Sequence, residues 1–291
     1  MSEVHLWRSE LLGESNELAL SQGRLEYYRC GQGPVLVFCH GWLANANLWR
    51  NVITTLSYEF TCIALDLPLG SHRIPMAPHA DLSPIGCGAL ITDALAALEL
   101  EQVTLVGNDS GGAYSQIAAA RSPERIARLV LNSCETPFDE FPPPPFAGLP
   151  VLAADQSVLG KALEALRDPT FRTDPAAYGL LIKHPLDPHV SDSYALPCLY
   201  DSKVLRDAAK AFTAACSPPV HEAGRMLIAD FQRPVLFAWG PEDRVFPIDH
   251  ARRYALELAD GCLEPIEDAY SFTPEDQPAA LARAVAQFAT T

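Results

Sequence analysis

The sequence predicts an α/β protein with a mostly parallel central sheet, helices on both faces and a helical cap inserted into the sheet domain. Three observations carry that expectation. Short apolar, β-branched runs alternate with helix-period segments in the first and last thirds of the chain, the pattern of parallel strands and their crossover helices. The alternation stops between about Thr136 and Arg225, where a proline run leads into less regular helical segments. The 291 residues, 48% hydrophobic and 20% charged, are enough for one sizeable core with an insertion.

Taken in order, "VLVFCH" from Val35 reads as a buried strand and "NLWRNVITTL" as the helix after it. "FTCIALDL" is a second strand. "SPIGCGALITDALAALEL" is a long helix opened by Ser83 and Pro84, a capping hydroxyl followed by a residue whose missing N–H is not needed in the first turn. "QVTLVGN" is a third strand and "GAYSQIAAARS" its helix. "IARLVLNS" and "RPVLFAWG" are the fourth and fifth strands, and "CLEPIE" is a weak last one. A terminal helix is expected from near Glu275 through "PAALARAVAQFA". Between the fourth and fifth strands, "FDEFPPPPFAGLP" can continue neither a strand nor a helix, because proline removes donors and clashes with the preceding turn. The helical stretches "SVLGKALEALRD", "PAAYGLLI" and "SKVLRDAAKAFTAA" follow. Residues 1–135 and 226–291 are therefore assigned to the core domain and 136–225 to the cap.

Composition narrows the function classes. A formal net charge of −15 and no Lys/Arg-rich run argue against a nucleic-acid partner. No apolar run approaches the ~20 residues of a membrane helix, and "MSEVHLWRSELLGES" lacks a basic start followed by an apolar stretch. A cytoplasmic location is expected. The eight cysteines contain no CxxC pair, and several lie in apolar strand runs, where a free thiol behaves as a small hydrophobe. "HPLDPH", His184 to His189, has no third ligand at a metal spacing, and neither a metal nor a cofactor is expected.

Six stretches, "VFCHGW", "ALDLPLGSH", "VGNDSGGA", "ARLVLNS", "VLFAWGPEDRVFP" and "EDAYSFTPEDQP", occur in an order that resembles the α/β-hydrolase superfamily. The resemblance is nearest to the epoxide hydrolase and haloalkane dehalogenase branch, which uses an aspartate nucleophile, and it spans nearly the whole chain. It implies a nucleophile elbow between the third strand and its helix. In such an elbow the residues two before and two after the nucleophile must be small. Centred on Asp109 those positions are Gly107 and Gly111; centred on Ser110 they are Asn108 and Gly112, and Asn108 fits poorly. Asp109 is thus the expected reactive group, with a helix-capping aspartate as the bland alternative. The following helix aims N–H groups and its positive dipole end at the carboxylate.

Other roles follow from the same resemblance. The backbone N–H of Ser110 and that of Trp42, after "HG", would form an oxyanion hole. His40 is expected to be structural, bonded to loop backbone. Asp243 in "GPEDRVFP" is the expected acid of a triad, and Glu135, after "RLVLNSC", is the alternative acid or else a strand-end cap. Where the family has a histidine, in a segment like Asp-Ala-Gly-His-Phe, this chain reads Asp268-Ala269-Tyr270-Ser271-Phe272. Ser271 cannot take a proton at neutral pH as imidazole can, and no histidine follows His250. His184, His189 and His221 lie in or beside the cap, either within reach of the site or, the favoured reading, as polar surface residues. Ser110 stands where halide-binding relatives carry tryptophan, which disfavours dehalogenation. Tyr178, Tyr194 and Tyr200 are candidates for protonating an opening ring or for packing only. The apolar cap suits a small or medium-sized apolar ligand. Three functions stay open: a hydrolase of epoxides or related electrophiles, a non-hydrolytic lyase, isomerase or cyclase using Asp109 as general acid or base, and a ligand-binding protein without turnover.

Overall fold

The computed structural model describes residues 6–290; residues 1–5, the start of the stretch read above as lacking a leader pattern, lie outside them. The sheet has eight strands in the order β1-β2-β4-β3-β5-β6-β7-β8. β3 (Val35–Cys39), β4 (Thr61–Leu65), β5 (Val103–Asn108), β6 (Ile126–Asn132), β7 (Val235–Trp239) and β8 (Gly261–Pro265) are mutually parallel and are the six strands the sequence predicts. β4, β5 and β7 are buried at every position, which is why they read as continuous apolar runs. β1 (Glu14–Leu20) and β2 (Gly23–Cys30) form an antiparallel hairpin added to β4 and were not expected. Their signal was present as the alternation in "NELALSQGRLEYY" across a tight turn, but β1 is an edge strand and its polar residues mask the pattern.

β3 and β4 are joined by α1 (Arg50–Leu56), and β4 and β5 by α2 (Pro84–Ala97). The first connection steps one way along the sheet and the second steps back, so right-handed crossovers place α1 and α2 on opposite faces. α2 is capped as the sequence predicts: Ser83 Oγ accepts from Gly86 N–H at 3.2 Å, with Pro84 in the first turn. α3 (Ser110–Arg121) packs beside α2.

Between β6 and β7 lie α4 (Leu149–Ala153), α5 (Gln156–Leu163), α6 (Pro188–Ala195), α7 (Pro197–Tyr200), α8 (Ser202–Thr213) and α9 (Ser217–Asp230). The position expected to end the cap, residue 225, falls inside α9, which packs on α3 and reaches the sheet domain. Among the polar bonds that hold this insertion down, two sets converge on carboxylates. Asp207 of α8 is buried and accepts from Met76 N–H at 2.7 Å and from Arg206 Nε at 2.9 Å, with His72 Nε2 at 3.2 Å. Asp276 accepts from the N–H groups of Lys183, His184 and Tyr270, tying the cap to the loop after β8.

The C-terminal segment contains α10 (Ile248–Glu257), α11 (Thr273–Asp276) and α12 (Pro278–Thr290), with α12 packed on α1. The expected start of the terminal helix at Glu275 is corrected: Glu275 lies in the short α11, and Pro278 opens a separate helix. Among the described residues no helix is long and apolar enough to cross a membrane.

Candidate active site

Asp109 sits at the tip of the turn between β5 and α3 with φ 52° and ψ −143°, a conformation that L-residues adopt only under strain. The turn closes because its neighbours have no side chains. A Cβ on Gly107 would lie 2.6 Å from the Gly111 carbonyl oxygen, and one on Gly111 would run into the carbonyls of Cys39 and His40. Asn108, which a Ser110-centred elbow would need to be small, fills its place with hydrogen bonds to Asn132 O at 2.9 Å and Ser271 O at 2.8 Å. The Asp109 side chain lies flat on Gly41, where any Cβ would overlap its carboxyl. That requirement explains the glycine after His40.

Burial pushes the Asp109 carboxyl up to about 7; the N–H groups of Ser110 and Trp42 beside it pull it back only in part, and the negative charge of Asp243 raises it further. The Trp42 N–H itself donates to Ser110 Oγ at 3.0 Å. The Trp42 indole is fixed as well, with Nε1 donating to Tyr114 Oη at 2.9 Å and the ring against Phe141 and Phe212.

Asp109 and Ser110 form the floor of a cavity of about 250 Å³ between sheet and cap. Its walls are apolar, with Phe141, Phe146, Leu163, Leu166 and Phe171 from the cap and Trp42 and Leu43 from the core. Glu135, on the loop after β6, is the other carboxyl in the lining. It is buried, neither of its oxygens has a hydrogen-bond partner, and burial together with the charge of Asp109 holds it well above the usual carboxylate range. Tyr178 also lines the cavity, but its hydroxyl donates to Leu43 O at 2.9 Å. No histidine among the described residues lines it, and no group of three or more His, Cys, Asp or Glu side chains among them is placed to hold a metal.

Behind Asp109, Asp243 Oδ1 accepts from Val245 N–H at 2.8 Å, Phe246 N–H at 2.9 Å and Ser271 Oγ at 2.7 Å. Burial raises the Asp243 carboxyl to about 6 against those bonds. Ser271 is fully buried and outside the cavity lining, and its hydroxyl donates to Asp243. His40 is likewise fully buried away from the cavity: Nε2 accepts from Leu67 N–H at 2.8 Å and Nδ1 faces Gly41 O at 2.8 Å. Burial lowers its imidazole to about 4, which keeps it neutral.

The sequence profile of the alpha/beta hydrolase fold family matches residues 34–270. The chain belongs to the α/β-hydrolase fold family. Among its relatives, an uncharacterized hydrolase, YugF, of Bacillus subtilis is 25% identical over 279 residues, covering 90% of this chain and 93% of the relative. A 2-hydroxy-6-oxononadienedioate/2-hydroxy-6-oxononatrienedioate hydrolase of Dechloromonas aromatica is 26% identical over 245 residues, 79% of this chain and 78% of the relative. Among solved structures, an α/β-hydrolase fold protein from Burkholderia ambifaria superposes with a TM-score of 0.79 at 22% identity, covering 94% of this chain and 97% of the other. The haloalkane dehalogenase DbeA from Bradyrhizobium elkani gives 0.76 at 19% identity, with 95% and 97% covered.

Within this α/β-hydrolase, Asp109, Ser110, Trp42 and Glu135 meet at one cavity, while Asp243 and Ser271 stand as a bonded pair behind it and His40 supports the loops. The histidines near the cap are engaged elsewhere: His184 bonds Asp268 Oδ2 at 3.0 Å, His221 bonds Asp139 O at 2.6 Å, and His250 bonds Asp139 Oδ1 at 2.6 Å. Of the cap tyrosines, Tyr194 donates to Glu275 at 2.6 Å and Tyr200 is exposed, so neither reaches the ligand space. Sequence reading gave no role to Gly41 or Tyr114. The "HG" pair was a usable signal for the first; nothing local marks the second, which meets Trp42 only through the packing of α3.

Proposed function

We propose that this α/β-hydrolase is an enzyme that opens small to medium-sized apolar electrophiles, epoxides or related activated esters, by attack of the Asp109 carboxylate on carbon. The observation that carries this reading is the placement of Asp109: a strained, glycine-lined elbow holds its carboxyl at the floor of an apolar cavity, with the Ser110 N–H at its side. The hydrolases among its relatives support turnover over mere binding. Dehalogenation is less supported, since Ser110 offers no indole N–H to a departing halide. A second reading is favoured by the Asp243–Ser271 bond, which occupies the place of the relay to histidine. In that reading Asp109, poised near neutrality, moves a proton in a lyase, isomerase or cyclase reaction that activates no water.

The test is intact-mass spectrometry of the protein and of Asp109→Asn after incubation with phenyl-substituted epoxides, combined with turnover in water enriched in heavy oxygen. An adduct on the peptide carrying Asp109, and label entering that carboxyl during turnover, support nucleophilic attack. Product formed without label points to proton transfer. Activity that survives Asp109→Asn overturns both readings. Thermal protection by a ligand with no product leaves the binding protein.

A further inference from the structure

Glu135 is the third residue after β6, and it enters the same cavity as Asp109 with both carboxyl oxygens buried and unpartnered. Most buried polar side chains find a hydrogen-bond partner, so a carboxyl with both oxygens unpaired calls for an explanation. Its backbone is not loose: Gln116 Nε2 donates to the Glu135 carbonyl at 2.7 Å, so the loop is fixed while the carboxyl stays uncommitted. The titratable groups that act on it are Asp109 from the elbow, Tyr114 from α3, and Cys134 and Asp139 from its own loop; none is a cation. Two neighbouring carboxyls in an apolar site share one negative charge, and Asp109, with N–H groups beside it, is the one that takes it. Above about pH 7 one cavity lining therefore presents a carboxylate at Asp109 and a carboxylic acid at Glu135. Among the described residues no other acid lines the space with its proton free, since the Tyr178 hydroxyl donates to Leu43 O and no histidine is in the lining.

Resting on Asp109 as the nucleophile, we propose that Glu135 is a second catalytic residue that supplies both the acid and the base of the reaction. In the first step the Asp109 carboxylate bonds to an epoxide carbon, the C–O bond breaks, and the departing oxygen takes the Glu135 proton. The products are a hydroxyalkyl ester on Asp109 and a Glu135 carboxylate. Esterification removes the charge of Asp109 at the moment Glu135 gains its own, so the pair still holds one charge. In the second step Glu135 takes a proton from water as the oxygen attacks the ester carbonyl, and the oxyanion faces the Ser110 N–H. Glu135 passes that proton to the leaving alkoxide; the carboxylic acid left at Asp109 then returns its proton to Glu135. Water and epoxide become a diol, and both residues regain their starting states.

Glu135→Gln tests this with two probes, a phenyl-substituted epoxide and the matched benzylic bromide, whose leaving group needs no proton. Adduct formation is followed by mass on the peptide carrying Asp109, away from the cysteines. The variant is expected to react with the epoxide roughly 100-fold or more slowly, to react with the bromide at the wild-type rate, and to retain the ester it forms. Wild-type epoxide labelling should rise as Asp109 ionises through about pH 7 and fall at higher pH as Glu135 loses its proton; the variant should lose the falling limb. Equal slowing with both probes, or no slowing with the epoxide, overturns the role of Glu135. Absence of both adduct and hydrolysis product from the wild type with either probe instead overturns the nucleophile reading, and this proposal with it.

Discussion

Asp109 carries opposite consequences for chemistry and for stability. Its folded-state carboxyl sits at about 7, while an unfolded carboxyl titrates near 4. Between those values the folded protein keeps a proton that the unfolded chain has released, so stability falls as pH rises through that window. Asp109→Asn should accordingly stabilise the fold at pH 8 by on the order of 2 kcal/mol, with the gain vanishing near pH 4; urea denaturation at both values measures it, and a variant no more stable at pH 8 contradicts the buried charge. Ser271 yields the complementary expectation. Its hydroxyl is one of three donors to Asp243 Oδ1, so Ser271→Ala should reduce stability by about 1 kcal/mol and leave turnover within tenfold. A large loss of kcat in a stably folded variant would instead place that hydroxyl in the chemistry.

At the scale of elements, the β5–α3 turn converts missing side chains into position. Gly41→Ala adds one methyl where Asp109 lies, without a positive φ to strain, and should displace the carboxyl. A displacement of that size is expected to lower kcat/KM roughly 100-fold with a modest change in Tm. Gly111→Ala drives a methyl into the His40 and Cys39 carbonyls, which cannot yield, so it should lower stability by about 3 kcal/mol or more and be seen first as poor thermal stability. The parallel strands were legible because burial on both faces leaves uninterrupted apolar runs, as in Val235–Trp239. The β1–β2 hairpin was not, because an edge strand buries only part of one face and its polar residues dilute the period. Pro278, by opening a new helix, cut the terminal segment where periodicity alone ran through.

For the whole molecule, the cavity exists only while the cap stays on the sheet, and buried polar anchors hold it there. Asp207→Ala leaves the Met76 N–H and the His72 ring without their carboxylate and should cost about 3 kcal/mol, concentrated at the cap. Hydrogen exchange resolves this: faster exchange in α8 and in the loop around Met76, with β3 and β5 unchanged, is expected, whereas uniform acceleration would mean that cap and sheet open as one unit.

The sequence by itself determined the α/β order, the glycine-flanked turn at Asp109 and the apolar nature of the cap, because each depends on local residue size, periodicity or spacing. Only the tertiary structure decided that Glu135 lines the Asp109 cavity with its carboxyl unpartnered, that the Ser271 hydroxyl bonds Asp243, and that the Tyr178 and Tyr194 hydroxyls bond Leu43 and Glu275. These are matters of which side chains meet across loops distant in sequence, and of the charge that two buried carboxyls are forced to share. A linear pattern holds the residues that meet in this way, but not their neighbours.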